Sequence, residues 1–242
     1  MPLTIVTGGS RGIGAAICRR LAAEGHDIVV GYRTDADAAD EVAAAVRSAG
    51  RRALTVELDT TDESQVEALF AAAAAAGFSP VTGLVNNAGS ASAFGPLADA
   101  DIAAVRRDID VDLVGVLICA KHAIRAMSTN GGGSIVNISS ASAYLGSPDR
   151  YVHYAAAKAG VDAVTVGLSK EVARLGIRVN GVAPGTIYTG FHPEPDRPEV
   201  VAPTVPLGRG GQPDEIAGAV AWLLSDDASY ATGTTIRVTG GL

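Results

Sequence analysis

The chain has 242 residues, of which 48% are apolar, 5% aromatic and 19% charged, with a formal charge of -7 and a pI near 5.0. So acidic a chain is a poor match for a phosphate backbone, which argues against nucleic acid as the main partner. Its length suits one large α/β domain better than two small ones, and a domain of that size buries roughly 70% of its unfolded surface or more, so it needs no disulfide or metal staple.

With aromatics scarce, Ala, Val, Leu and Ile have to form the core. Cys18 and Cys119 each lie in an apolar, helix-like stretch and read as buried free thiols. No CxxC or Cys/His cluster points to zinc, and His26, His122, His153 and His192 show no ligand spacing, so no metal is expected. Residues 1–6 run straight into a strand pattern with neither a basic start nor a cleavage site. No uninterrupted apolar run reaches the roughly 18–20 residues that span a bilayer. The expectation is a cytoplasmic protein with no membrane partner.

Along the chain, short β-branched or apolar runs predict strands over 3–6, 28–32, 53–58, 84–86, 134–138, 177–182 and 235–238. Ala-rich stretches of helical period predict helices near 13–24, 36–49, 62–76, 99–127, 152–174 and 213–225. Strand–helix alternation of this kind implies right-handed βαβ crossovers and a parallel sheet covered on both faces. The exception is 188–211, which holds Pro193, Pro195, Pro198, Pro203 and Pro206 and has no regular pattern. A loop of that length in an α/β domain reads as a lid or substrate-binding element.

After the first strand comes Thr7-Gly8-Gly9-Ser10-Arg11-Gly12-Ile13-Gly14, followed directly by a helical pattern. A strand–glycine turn–helix unit presents backbone N–H groups and a helix N-terminus to a pyrophosphate, at a place where side chains would block close approach. The spacing is G-x-x-x-G-x-G, not the usual dinucleotide G-x-G-x-x-G, and no Lys follows as a phosphate-binding loop would require. The strand–turn–helix context is therefore what favours a nucleotide site over a merely tight βα turn. At the end of the second strand, a carboxylate would bind a ribose 2′-OH and repel a 2′-phosphate. Here the chain reads Gly31-Tyr32-Arg33, with no acid before Asp35. Arg33, helped by Arg11, can pair with a 2′-phosphate, so NADP(H) is the preferred cofactor, with NAD(H) the alternative.

Tyr154 and Lys158 are spaced i, i+4 and share a helical face. An ammonium beside a phenol favours the phenolate and should lower its pKa from near 10, toward the range where it can exchange a proton with a substrate oxygen. Upstream, strand alternation sends Ser139 and Ser140 to opposite faces, so only one of them should face the cofactor. His153 points about a quarter turn away from Tyr154 and reads as packing.

Taken together, the 7–14 turn, Asp59, Asn86-Asn87-Ala88-Gly89, Ser140, Tyr154/Lys158 and Pro184-Gly185-Thr186-Ile187-Tyr188-Thr189 resemble, in order and spacing, the short-chain dehydrogenase/reductase family. The branch containing 3-oxoacyl carrier-protein reductases and glucose-dehydrogenase-like enzymes is the most similar. The resemblance implies a Rossmann-type doubly wound sheet of about seven strands in the order 3-2-1-4-5-6-7. It also implies one catalytic domain over 1–242, with 188–211 as its substrate loop, assembled as a homotetramer or homodimer.

By the same resemblance, the chain is an oxidoreductase moving a hydride between a nicotinamide and a small-molecule carbonyl or alcohol. Ser140, Tyr154 and Lys158 take the catalytic places, with Tyr154 as acid/base. Gly8, Ser10, Arg11, Gly12, Ile13 and Gly14 cradle the cofactor, and Asp59 meets the adenine. Asn87, Ala88 and Gly89 run along the cofactor. Pro184 and Gly185 also meet the cofactor, Ile187 bonds the nicotinamide carboxamide through its backbone, Thr189 contacts the pyrophosphate or the amide, and Lys158 holds the nicotinamide ribose. A nucleotide-binding regulator of the same fold that has lost catalysis is the alternative, with a dehydratase or epimerase a third reading. Tyr144, Tyr188, Phe191 and His192 are candidates for lining the substrate pocket.

Three departures from the family pattern stand out. Asp112-Leu113-Val114-Gly115 has Asp where the family's catalytic tetrad usually has Asn, so Asp112 is included among the catalytic candidates, with an altered pH dependence expected. Ser140 and Tyr154 are fourteen apart where thirteen is commoner, and Ser147-Pro148-Asp149-Arg150 is expected to absorb the extra residue. Near the C-terminus, Thr239 stands where many relatives have Asp.

Overall fold

Among the residues described by the computed structural model, 1–191 and 196–242, seven apolar runs form strands. They are β1 (Leu3–Val6), β2 (Asp27–Tyr32), β3 (Ala53–Glu57), β4 (Val81–Asn86), β5 (Gly133–Ile138), β6 (Ile177–Pro184) and β7 (Thr235–Val238). All pair in parallel in the order β3-β2-β1-β4-β5-β6-β7. The helices are α1 (Gly12–Ala23), α2 (Ala36–Ser48), α3 (Glu63–Ala75), α4 (Ile102–Ile109), α5 (Gly115–Ser128), α6 (Ser142–Leu145), α7 (Val152–Val172), α8 (Arg197–Val201) and α9 (Pro213–Leu224).

The inner strands are largely apolar because both faces of the sheet are covered there, while the edge strands β3 and β7 are only partly buried. Alternation along each strand divides its side chains between two cores. Val6, Val30, Val85, Val136 and Val182 face one layer with α1, α2 and α9. Ile5, Val29, Leu84, Ile135 and Val179 face the other, with α3, α5 and the end of α7. Burying a side chain such as Ile135 or Leu84 stabilises the fold by about 2 kcal/mol. Cys18 and Cys119 are free and buried within these layers, and burial pushes each thiol up to about 12, so both act as small core hydrophobes.

One expected element divides. The stretch predicted as a helix over 99–127 is α4, then a π-helical turn at Asp110–Val114, then α5. The widened turn brings Asp112 into the interior, and such turns recur at functional sites. No helix among the described residues is long and apolar enough to cross a membrane. Strand order reverses between β1 and β4, and their carboxyl ends open a crevice there, the usual ligand position in sheets of this kind.

Candidate active site

Ser140 and every cofactor candidate named above line one cleft of about 610 Å³ at this crevice. Asp112 lies beneath it, fully buried. The glycine turn forms its floor. Gly8 has a φ of +62°, and a Cβ on Gly14 would collide with the carbonyl oxygen of Gly8, so the turn closes as it does only because both are glycines. Asn87 locks it from the end of β4. Its amide donates to the carbonyls of Thr7 at 3.0 Å and Gly8 at 2.9 Å, while the N–H groups of Asn87 and Ala88 each donate to Thr7 Oγ1 at 3.0 Å.

Helices α2, α3 and α4 begin on Asp35, Asp62 and Asp101, whose carboxylates accept first-turn N–H groups. Helix α1 has Arg11 at that position, no side-chain cap and no acid in its first turn. Its open N–H groups and positive dipole end therefore face the cleft, as an anion site requires.

At the far end of β2, Arg33 and Asp59 meet. Asp59 Oδ1 accepts from Thr61 N at 3.0 Å and Thr61 Oγ1 at 2.7 Å, and Oδ2 lies 3.7 Å from Arg33 Nε. Arg107 of α4, not singled out from the sequence, donates to the same Oδ2 at 3.1 Å. Burial acts to raise the Asp59 carboxyl, but the Thr61 hydrogen bonds and the two guanidinium groups together hold it below the usual carboxylate range. Asp35, the first acid after β2, is occupied as the cap of α2.

The reaction end is built by β5, the π-turn and α7. Strand alternation separates the two serines as expected. Ser139 is buried and donates its hydroxyl to the Lys158 carbonyl at 3.3 Å, whereas the Ser140 hydroxyl accepts from Ser142 N at 3.1 Å, both residues lining the cleft with Tyr154. Lys158 Nζ donates to the Ile138 carbonyl at 3.0 Å and lies 3.0 Å from Asp112 Oδ1, both side chains being buried. It sits 5.6 Å from the Tyr154 ring centroid.

The expectation that Lys158 would lower the Tyr154 pKa is reversed in this structure. Burial raises the phenol, the Asp112 charge raises it further, and the nearby Ser140 hydroxyl opposes them only in part. Asp112 neutralises the ammonium that was expected to act on the phenol. Between Ser140 and Tyr154 the chain makes a loop in which Ser147 and Asp149 take left-handed conformations, with φ of 45° and 60°.

His153 is not mere packing. Its Nε2 lies 3.0 Å from Asp108 Oδ2, with both side chains buried. Asp108 also accepts from Ser90 Oγ at 2.6 Å, Ser92 Oγ at 2.7 Å, Ser92 N at 2.8 Å and Ala93 N at 3.0 Å. Burial works against its charge, but these donors prevail and hold the carboxyl below the usual range. Its one sequence signal is position: Asp108 and Asp112 stand four apart, on one face of a helix that enters the core.

Of the pocket candidates, Phe191 lines the cleft, 5.9 Å from the Tyr154 ring, and Tyr151 stacks edge-on to Tyr154 at 5.3 Å. Tyr144 turns away, its ring beneath Arg237 and its hydroxyl donating to the Leu242 carbonyl at 3.2 Å. The Tyr188 ring packs over Gly210. His192 lies outside the described residues.

Fold and cleft together define the class, a dinucleotide-dependent oxidoreductase. The family model described as enoyl-(acyl carrier protein) reductase matches residues 8–242. The chain is 43% identical to the uncharacterized oxidoreductase YgfF of Escherichia coli strain K12, covering 100% of both chains. It is 45% identical to cis-4-hydroxycyclohexanecarboxylate dehydrogenase of Sinomonas cyclohexanicum, over 99% of this chain and 95% of that one. The crystal structure of a short-chain type dehydrogenase/reductase from Mycobacterium marinum matches with a TM-score of 0.93 at 33% identity, covering 99% of this chain and 94% of that one. The chain belongs to the short-chain dehydrogenase/reductase family, whose members are oxidoreductases working with nicotinamide cofactors.

Proposed function

We propose that the protein interconverts an alcohol and its carbonyl with NADP(H), Tyr154 exchanging the proton on the substrate oxygen. The observation that carries this reading is that Ser140, Tyr154 and Lys158 line one cleft whose floor is the glycine turn. The bound nicotinamide supplies or accepts the hydride. Ser140 holds the substrate oxygen, and Tyr154 donates its O–H proton to that oxygen in reduction or takes it back in oxidation. Lys158, fixed by Ile138 and Asp112, orients the ribose beside them. The residues fit the cofactor along its length: open α1 N–H groups for the pyrophosphate, Asp59 for the adenine, and Arg33 with Arg11 for a 2′-phosphate.

We further assign 188–211 as the substrate loop of a single catalytic domain spanning 1–242. It contributes Phe191, Val201 and Thr204 to the cleft, and Phe191 and Val201 join Leu145 and Tyr151 in an apolar wall. That wall supports a substrate with an apolar body, in keeping with the ring alcohol named for the Sinomonas enzyme. An assembly of two or four copies would cover Leu117 of α5, Val166 of α7 and Trp222 of α9, all exposed in the single chain.

The test is Tyr154→Phe. Turnover of NADPH on a carbonyl panel should fall roughly 100-fold or more, because general acid–base catalysis contributes about that much. NADPH binding, read by fluorescence, should survive. Wild-type turnover in the variant would overturn the role of Tyr154, and a wild-type protein that neither binds nor oxidises NADPH would overturn the reading as a whole.

A further inference from the structure

At the adenosine end of the cleft two cations share one carboxylate oxygen, and they share it unequally. Arg107 Nη2 donates to Asp59 Oδ2 at 3.1 Å, a direct hydrogen bond, while Arg33 Nε stands 3.7 Å from the same oxygen, beyond hydrogen-bond reach. The other oxygen, Oδ1, is taken by Thr61. Arg33 lines the cleft with its side chain 53% exposed, and Arg11 of the glycine turn lines the same cleft.

Counted as charges, Arg33 and Asp59 alone would leave this corner neutral, and the carboxylate would repel any phosphate offered to Arg33. Arg107 restores a net positive charge and occupies the oxygen that would otherwise draw Arg33 in.

We propose that Arg107 is a positioning residue for cofactor selection, which, by holding Asp59, leaves Arg33 to receive a phosphate on the 2′ position of the adenosine ribose. The inference rests on the reading of NADP(H) as the cofactor. It extends that reading from the residue at the end of β2 to a helix on the other side of the carboxylate. A cofactor with a free 2′-OH carries no charge there, so how Asp59 is neutralised reaches it only through the adenine contact, which both cofactors share.

The experiment is a fluorescence titration of the purified full-length protein with NADPH and with NADH, in the wild type, Arg107→Met and Arg107→Lys. The wild type should bind NADPH more tightly. Arg107→Met should weaken NADPH by about five-fold, the scale of a partly exposed ion pair, and leave NADH within about two-fold. Arg107→Lys, which keeps the charge, should recover most of the preference. Adding Asp59→Asn to Arg107→Met should restore the NADPH-to-NADH ratio, because the competing carboxylate is gone.

If Arg107→Met weakens both cofactors equally, the residue is structural and the inference fails while the NADP(H) reading stands. An unchanged ratio in a wild type that prefers NADPH has the same meaning. A wild type that prefers NADH overturns the NADP(H) reading itself and the inference with it.

Discussion

At Asp112, burial pushes the carboxyl above the usual range against the lowering pull of Lys158, 3.0 Å away. The same charge adds to burial in raising Tyr154. Replacing Asp112 by Asn keeps the shape, removes the negative charge near the phenol and frees the field of the ammonium. Both changes favour the phenolate, so the Tyr154 pKa falls. With Tyr154 as the proposed acid/base, alcohol oxidation needs the phenolate and rises with pH, whereas carbonyl reduction needs the phenol and falls with pH. In Asp112→Asn both limbs should move to lower pH, by roughly one unit for a single charge at this range. The profile of kcat against pH in the two directions checks this. A midpoint that does not move, or moves up, would show that Asp112 does not act on Tyr154. The residue is visible in the sequence as a departure from Asn. The reversal at Tyr154 is not, because it depends on Lys158 meeting Asp112 across the gap between the π-turn and α7.

Asp108 works at the scale of elements. It stands on α4, receives His153 from α7, and gathers Ser90, Ser92 and Ala93 from the segment after β4. Three pieces of chain that meet at the reaction end are therefore fastened to one carboxylate. Asp108→Ala would leave several buried donors unpaired and should cost about 3–5 kcal/mol, the scale for removing one partner of a buried charge cluster. Urea unfolding would measure it, and a loss below about 1 kcal/mol, the net worth of a single hydrogen bond, would mean that the cluster does not fasten these elements.

The seven strands are legible in the sequence, since parallel strands buried on both faces must be short continuous apolar runs. The glycine turn is legible too, because its requirement is local. What escapes is whatever tertiary packing decides. The break of the 99–127 helix into α4, the π-turn and α5 leaves no mark in a helical period. The short helices α6 and α8 are single turns inside loops. Neither Arg107 meeting Asp59 nor His153 meeting Asp108 has a local signature, because their partners lie 48 and 45 residues away.

For the molecule as a whole, the cleft draws its walls from both halves of the sheet. The turn after β1 and the ends of β2 and β3 line one side, the proposed adenosine side, while β5, α7 and the segment after β6 line the other, the proposed reaction side. Any ligand spanning it binds the folded chain and has no counterpart site in the unfolded one, so binding adds RT ln(1 + [L]/Kd) to stability. At one hundred times Kd this is about 2.7 kcal/mol, and in a chain of this size each kcal/mol raises Tm by about 2–4 °C. NADPH at that excess should therefore lift Tm by roughly 5–10 °C. NADH at the same concentration should lift it less, by the margin that its weaker binding sets. Differential scanning fluorimetry with the two cofactors measures both. No shift with either would mean that the cleft does not take a nicotinamide dinucleotide. Equal shifts would mean that the cations at its adenosine end do not read the 2′ position, although the rest of the cleft holds the cofactor.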